Sequence, residues 1–337
     1  MAYREFLMYD IICLTGHRKG GTTMFHKLFE GHPELTVYPD DISLLYAYFP
    51  CFADKKKYSI DEISQRIEKI LISIFINLKK SSKSNQDLPE IDLFLKYFWK
   101  YLSTKDIFSR GDVICGVADA WHKSLNLIEK KPFLFKETSQ AIHFEEIKDC
   151  IPSCKFINLV RDPRDNYAAI KSGVKKYYSK MGEGEMASLS SLINRARMDM
   201  LSAKTYLETH PDNFYALRFE DLTAKPEYEM KKVADFVGVK FDQCLLQPTT
   251  FGQSFSGNSH EGSQFVGISS KNVGKWKERI SDFEAKVIEF WLGDVMDSWG
   301  YERTFSQTEC TQAFAEFYKW YNCQYFFYDS FETKNEK

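Results

Sequence analysis

A glycine-rich turn near the N-terminus has the residue types of an anion site. Residues 16–23 read Gly-His-Arg-Lys-Gly-Gly-Thr-Thr. Glycines allow the backbone to approach a phosphate closely, and the free N–H groups at the start of a following helix attract negative charge. Arg18 and Lys19 add positive charge, and Thr22 and Thr23 add hydroxyl donors. The turn therefore predicts a binding site for a phosphate or a similar anion.

The same turn departs from the pattern that binds nucleoside triphosphates with magnesium. In that pattern, Gly-x-x-x-x-Gly-Lys-[Ser/Thr], the lysine reaches the β- and γ-phosphates and the hydroxyl binds Mg²⁺. Gly16, Gly21 and Thr23 match it, but Thr22 stands at the lysine position and Lys19 lies three residues earlier. We interpret the turn as an anion site that does not bind a Mg-nucleotide. A nucleotide-dependent kinase with a displaced lysine is the alternative hypothesis.

Five segments of the chain, in the family's order, resemble the motifs of the sulfotransferases that use 3′-phosphoadenosine 5′-phosphosulfate (PAPS). Lys19–Thr23 resembles the loop that binds the 5′-phosphosulfate, and Phe156–Asp165 (FINLVRDPRD) resembles the strand and turn that bind the 3′-phosphate. Lys136 after a short strand, Leu217–Leu222 (LRFEDL) and Gly274–Lys277 (GKWK) are similar to the other three motifs. The order and spacing of the five motifs make the resemblance specific, although each motif alone is common.

The resemblance implies transfer of a sulfuryl group from PAPS to an acceptor hydroxyl, with adenosine 3′,5′-bisphosphate (PAP) as product and no metal ion. Such a transfer builds negative charge on the leaving phosphate, so positioned cations should carry most of the catalysis. Lys19 and Lys136 are the cations that the resemblance places at the reaction. The residues that it places at the donor are Arg18, Lys19, Gly20, Gly21, Thr22, Thr23, Arg161, Ser172, Phe219, Ser269, Ser270 and Lys271.

Two positions depart from the family pattern at the 3′-phosphate. The family usually has a serine eight residues after the arginine matched by Arg161, and Ala169 stands there, with Ser172 one helical turn further on. Residues 269–271 read Ser-Ser-Lys where the family often has Arg-Lys-Gly. We expect these serines and Lys271 to donate to the 3′-phosphate. The departures also support a third hypothesis, an inactive relative that only binds nucleotide.

A carboxylate is the expected general base. The small-phenol branch of the family has a histidine two residues after the lysine matched by Lys136, and Thr138 stands there. The branch that acts on glycans and protein tyrosines has a glutamate shortly after the first helix, and the matching residue is Asp40. Asp41 is the neighbouring alternative, and Asp40 is equally well suited to cap a following helix. We therefore place the chain nearer the glycan and tyrosylprotein branch, with a glycan, peptide or other alcohol as acceptor.

Apolar strands alternate with amphipathic helices along the chain. Strands are predicted at residues 10–14, 35–38, 133–135, 156–160 and 214–219, helices at 24–30, most of 40–102, 226–236, 281–299 and 308–328, and a long loop at 247–272. This alternation predicts an α/β fold with a central parallel sheet flanked by helices, whose ligands bind at the carboxyl ends of the strands. Residues 1–303 are expected to form one domain with a helical insertion at about 40–130, and 304–337 an aromatic-rich helical extension.

Composition limits the classes of protein to consider. The 337 residues are 44% hydrophobic and 27% charged with a net charge of -2, which is typical of a globular protein and does not favour nucleic-acid binding. No apolar run approaches the roughly 20 residues of a membrane span, and no signal peptide is visible, so we expect a cytoplasmic protein, or a lumenal one if the chain is truncated. The 8 cysteines form no CxxC pair, so we expect no zinc site, mostly reduced thiols and at most a local Cys150–Cys154 disulfide. None of these features specifies an oligomeric state.

Overall fold

A five-stranded parallel sheet forms the centre of the computed structural model, which describes residues 9–44, 47, 59–82, 88–105, 108–174, 184–255, 257 and 267–325. The strands are β1 (Ile11–Gly16), β2 (Thr36–Asp41), β3 (Phe133–Lys136), β4 (Lys155–Val160) and β5 (Phe214–Arg218). Their order across the sheet is β2-β3-β1-β4-β5, and each neighbouring pair is parallel. The predicted α/β fold is confirmed.

Helices cover both faces of this sheet. In the described part of the chain they are α1 (Thr22–Lys27), α2 (Ile60–Ser81), α3 (Ile91–Leu102), α4 (Arg110–Ser124), α5 (Phe144–Cys150), α6 (Pro163–Val174), α7 (Glu185–Thr209), α8 (Phe219–Ala224), α9 (Pro226–Val237), α10 (Trp276–Arg279), α11 (Asp282–Ser298) and α12 (Gln307–Tyr325). A short antiparallel pair, β6 (Thr249–Thr250) and β7 (Gln253–Ser254), lies in the predicted long loop. None of the helices described is long and apolar enough to cross a membrane.

Burial on both faces explains why the central strands read as continuous apolar runs. Every residue of β1 is buried. Ile11 and Cys13 belong to one hydrophobic core, whereas Ile12 and Leu14 belong to the other. Successive side chains of a strand point to opposite faces, so a strand between two helical layers needs apolar residues at every position.

The structure corrects the start of the predicted helical region at 40–102. Strand β2 continues to Asp41, and α2 begins only at Ile60, where Ser59 and Glu62 form a capping box. Pro39 is tolerated within β2 because the strand lies at the edge of the sheet, where a missing N–H donor is not costly. The register with β3 shifts between Val37 and Asp41, which sets Asp41 opposite Lys136.

The remaining organisational predictions concern the periphery. Helices α2, α3 and α4 lie between β2 and β3 in the chain, within the expected insertion. Helix α12 packs on α11, where the rings of Phe290 and Phe314 stack with centroids 4.3 Å apart. The division into a domain and an extension stays a prediction. Cys150 and Cys154 are both free thiols, so the structure contains no disulfide between them.

Candidate active site

A cavity of about 270 Å³ opens at the carboxyl edge of the sheet, where the turns after β1, β3 and β4 meet. Parallel strands bring their carboxyl ends to one edge, so residues far apart in sequence converge there. The predicted site residues that line this cavity are Arg18, Lys19, Gly21, Thr22, Thr23, Lys136, Arg161, Ser172, Phe219 and Ser269. Four others, Asp40, Gly20, Ser270 and Lys271, are not part of its lining.

The turn after β1 folds tightly and is held against the start of α8. Lys19 adopts the left-handed conformation (φ 61°), and the Gly20 amide donates to the carbonyl of His17 at 2.9 Å. Gly21 also has a positive φ of 97°, and a Cβ there would lie 2.5 Å from the ring of Phe219. Only glycine therefore allows the backbone to pass this close to the aromatic ring.

Lys19 and Lys136 place two ammonium groups beside the same cavity. Burial lowers the pKa of Lys19, and the positive charge of Lys136 lowers it further. The Lys136 side chain is only 5% exposed and forms an ion pair with Asp41 at 2.5 Å. Two like charges held in a partly desolvated site repel each other, and an anion bound between them would relieve this repulsion.

The structure places the two candidate aspartates differently with respect to the cavity. Asp40 is exposed and does not line the cavity, whereas Asp41 lines it and contacts Lys136. Both belong to β2, and neighbouring residues of a strand point to opposite faces. Asp41 also accepts hydrogen bonds from the amide and hydroxyl of Ser43, both at 3.2 Å. Asp40 lies within β2, and its Oδ1 accepts from the amide of the next residue, Asp41.

Arg161 leaves the end of β4 and joins three parts of the site. Its Nη1 and Nη2 donate to the carbonyls of Lys19 and Asn272, each at 3.1 Å, and its guanidinium lies 4.6 Å from the centre of the Phe219 ring. Burial lowers the pKa of Arg161, partly offset by nearby carboxylates that include Asp165. Its Nε is buried and has no hydrogen-bond partner among the residues described, so it can still donate to a ligand.

The predicted hydroxyl donors are less well arranged. Ser172 and Ala169 both line the cavity, but the Ser172 hydroxyl donates to the Ala169 carbonyl at 2.9 Å within α6. Ser269 lines the cavity, and its hydroxyl oxygen accepts from the amide of Lys271 at 3.3 Å. The Ser172 hydroxyl must therefore give up this bond before it can donate to a ligand, whereas the Ser269 hydroxyl only accepts and keeps its own proton to donate.

Sequence reasoning missed several cavity residues, of which Asn272 and Arg279 have polar side chains. Asn272 and Arg279 line the cavity, and Arg279 Nη2 donates to Asn272 Oδ1 at 3.2 Å. Arg279 lies two residues beyond the Gly274–Lys277 motif, and this nearness was the only signal that pointed to it.

Arg18 is anchored to both α6 and α7. Its Nη2 donates to the hydroxyl of Ser191 at 3.3 Å, and its carbonyl accepts from Asn166 Nδ2 at 2.6 Å. The adjacent His17 is buried, and desolvation with the charges of Arg195 and Arg18 lowers its pKa to about 3. His17 is therefore neutral at physiological pH and adds no charge to the turn. In the parts of the chain described, no three His, Cys, Asp or Glu side chains form a group that could hold a metal ion.

Comparison with known proteins identifies the family of this chain. Residues 11–243 match the model of the Sulfotransferase family. The chain is 22% identical over 188 residues to the omega-hydroxy-beta-dihydromenaquinone-9 sulfotransferase Stf3 of Mycobacterium bovis and, equally, of Mycobacterium tuberculosis. The match covers 52% of this chain and 42% of each relative, so the chain matches less than half the length of these curated relatives.

Solved structures support the fold. The sulfotransferase domain from the curacin biosynthetic pathway aligns with 88% of this chain and 99% of its own, at a TM-score of 0.52 and 18% identity. The sulfotransferase domain of the Synechococcus PCC 7002 olefin synthase aligns with 87% of this chain and 94% of its own, at a TM-score of 0.50 and 17% identity. The family match covers well over half of the chain and includes the turn after β1, β3 and the start of α6. This protein belongs to the Sulfotransferase family.

Proposed function

We propose that this protein transfers the sulfuryl group of PAPS to an acceptor hydroxyl and releases PAP. The observation that carries the proposal is the convergence of Lys19, Lys136 and Arg161 on one cavity at the carboxyl edge of the sheet. Three cations around a small cavity suit a donor that carries a phosphosulfate at one end and a phosphate at the other.

The donor is proposed to lie across the turn after β1. Gly21, Thr22 and Thr23 would bind the 5′-phosphosulfate through backbone amides and hydroxyls, and Gly20 would support the turn from outside the cavity lining. Arg161 would bind the 3′-phosphate through its unpartnered Nε. The Phe219 ring, held at one side by Arg161, would stack near the adenine. Arg279 and Asn272 would add donors that replace the serine missing at Ala169.

Only some of the serine and lysine residues predicted to bind the 3′-phosphate line the cavity. Ser172 and Ser269 stay in the proposal as hydroxyl donors, because both line the cavity. Ser270 and Lys271 lie outside the lining, so we assign them no direct contact with the donor. Arg18 is proposed to support the turn through α6 and α7 and to add positive charge to the site.

The transfer step needs one bond to form as another breaks. The acceptor oxygen attacks sulfur, and the bond between sulfur and the bridging oxygen breaks with its electron pair passing to the 5′-phosphate. Lys19 would neutralise the charge that develops on this leaving oxygen, and Lys136 would stabilise the transferring sulfonate oxygens. No electron donor or acceptor is required, since the oxidation state of sulfur does not change.

Asp41 is proposed as the general base, in place of Asp40. It is the carboxylate that lines the cavity, and it lies next to a cation that would face the transferring group. A base must reach the proton that it removes, so the position of Asp41 in the cavity lining supports it over Asp40. Among the cavity residues described there is no histidine, and Thr138 stands where the small-phenol branch has one.

A hydroxyl acceptor is supported by the mycobacterial relatives, whose name identifies a hydroxylated menaquinone. The glycan and tyrosylprotein branch is proposed on the carboxylate base alone. The hydroxyl acceptor and the branch are both proposals, because the match covers 42% of each relative.

Thermal shift and a transfer assay together test the function. PAP without Mg²⁺ should raise the melting temperature, and labelled sulfate should pass from PAPS to a hydroxyl acceptor in excess EDTA. Stabilisation by Mg-ATP alone, with activity lost in EDTA and restored by Mg²⁺, would establish the kinase alternative. Stabilisation by PAP with no transfer to any member of an acceptor library would establish the inactive relative.

A further inference from the structure

The second aspartate of the RDPRD motif, Asp165, does not line the cavity and instead contacts the segment 267–276. Asp165 is buried, and its two carboxylate oxygens accept backbone N–H groups from Gly274 at 2.6 Å and from Trp276 at 2.8 Å. Both bonds are short, and each oxygen takes one amide. A single side chain of α6 therefore holds two points of a segment more than 100 residues away in the chain.

The same segment forms one wall of the cavity. Ser269 and Asn272 line it, the Asn272 carbonyl accepts from Arg161, and the Asn272 side chain accepts from Arg279. Asp165 lies four residues after Arg161 in sequence, in the first turn of α6. One short motif thus supplies both a cation of the site and the anchor of the wall that this cation contacts.

A second contact fixes the far end of the segment. The Trp276 ring is buried and lies 4.4 Å from the guanidinium of Arg164, which is itself held by Asp162 and Glu289 at 2.7 Å. Gly274 turns the chain with a φ of 74°, so that the amides on either side of Lys275 can reach the same carboxylate. The backbone path from Gly274 to Trp276 is therefore fixed by α6.

A buried carboxylate is an unexpected neighbour for an anion site. Burial raises the pKa of Asp165, and its charge lies close enough to act on Arg161. Electrostatics alone would make a negative charge here unfavourable for binding a phosphorylated nucleotide. The carboxylate accepts hydrogen bonds from two backbone amides, and a charged acceptor makes stronger hydrogen bonds than a neutral one. Holding these two amides is therefore a reason for a charged side chain at this position.

We propose that Asp165 is a positioning residue that holds the segment 267–276 against the donor site, so that donor affinity depends on it and the transfer step does not. The proposal rests on the proposed function in one respect, namely that a 3′-phosphorylated nucleotide occupies the cavity. The ligand-free contacts of Asp165 do not depend on that function.

The charge of Asp165 makes the test discriminating, because the two possible effects have opposite signs. Asp165→Asn removes a negative charge near Arg161, which by electrostatics alone would tighten PAP binding. Loss of the anchor would weaken PAP binding instead. If the loss equals the contribution of one charged hydrogen bond, the affinity should fall by about tenfold or more. Asp165→Glu keeps the charge but displaces the carboxylate, so it should also weaken binding.

The measurements are calorimetric affinity for PAP, the KM for PAPS, and kcat at saturating PAPS, with melting temperatures as a check on folding. Both variants should raise Kd and KM and leave kcat close to the wild-type value. Glu284→Gln is the matched control: Glu284 is buried, accepts the Ser281 amide at 2.8 Å and pairs with Lys171 of α6, but does not line the cavity. It should lower the melting temperature without changing Kd.

Hydrogen exchange of the amides of Gly274 and Trp276 in the ligand-free protein tests the anchor without any nucleotide. These amides should be protected in the wild type and in Glu284→Gln, and exchange faster in Asp165→Asn. Tighter PAP binding, unchanged Kd, or continued protection of both amides in Asp165→Asn would each overturn the proposal. If the wild type bound no PAP, the proposed function would fall, and the exchange rates would still decide whether Asp165 is an anchor.

Discussion

The substitution Asp41→Asn tests the general base without removing a group that binds the donor, and the same substitution at Asp40 is a matched control. The substitution keeps the shape of the side chain and removes its charge. Asp41 accepts from Lys136 at 2.5 Å and from the amide and hydroxyl of Ser43 at 3.2 Å. The asparagine oxygen can keep the Ser43 bonds, but the ion pair with Lys136 is lost.

The expected magnitudes follow from these contacts. Loss of a general base lowers turnover by about 10²–10⁴-fold. Loss of a charged hydrogen bond costs about 1.5–3 kcal/mol of unfolding free energy, towards the lower end here because the Asp41 side chain is 23% exposed. Affinity for PAP should stay the same or rise, because the positive charge of Lys136 is no longer neutralised by its partner.

The assay measures turnover with labelled PAPS at saturating donor, PAP affinity by calorimetry, and the melting temperature, all on the same preparation. Asp40→Asn is the control, since Asp40 is exposed and its Oδ1 accepts only a neighbouring amide, that of Asp41, in the contacts observed. It should behave as the wild type. Wild-type turnover in Asp41→Asn, or an equal loss in Asp40→Asn, would refute the assignment of the base.

Three further substitutions test the rest of the site, and a fourth tests the interior. Lys19→Ala should leave the melting temperature near that of the wild type and lower turnover by about 10²-fold or more, as measured by sulfate transfer; near-normal turnover would remove Lys19 from the mechanism. Arg161→Lys should weaken PAP binding by roughly 1.5–3 kcal/mol in calorimetry and spare adenosine 5′-phosphosulfate, which lacks the 3′-phosphate; equal losses would contradict the 3′-phosphate role. Gly21→Ala should disrupt donor binding in the same assay because of the 2.5 Å approach to Phe219, whereas Gly31→Ala, at a similar positive φ with no atom within 4 Å, should only lower stability. Burial raises the pKa of Asp199 from 3.8 to about 7, so the folded state binds this proton more tightly than the unfolded state does. The free energy of unfolding should therefore fall as pH rises from about 4 towards 7, and urea titrations of Asp199→Asn should lack this fall.

Local sequence was sufficient to predict the features that depend only on residues close together in the chain. The strands at 133–135 and 156–160 were located to within a residue, since continuous apolar runs are what a strand covered on both faces requires. The turn at 16–23 was predicted to be an anion site because glycine, lysine and threonine in that order follow a strand directly, and this role stays a prediction. The alternation of strands and helices predicted the parallel sheet, and the family resemblance is confirmed at the level of the family.

The sequence by itself therefore determined the fold class, the family and the turn predicted to bind an anion, whereas tertiary contacts decided which side chains face that turn. Asp41 rather than Asp40 lines the cavity because β2 continues past Pro39 and pairs Asp41 with Lys136 of β3. Local sequence does not specify this pairing, because it depends on which strand lies next to β2 in the sheet. Asn272 and Arg279 line the cavity from either side of Gly274 and Trp276, whose backbone amides donate to Asp165 of a distant helix. Backbone N–H groups are the same in every residue except proline, so a contact made to them leaves no trace in the identities of the residues that donate them.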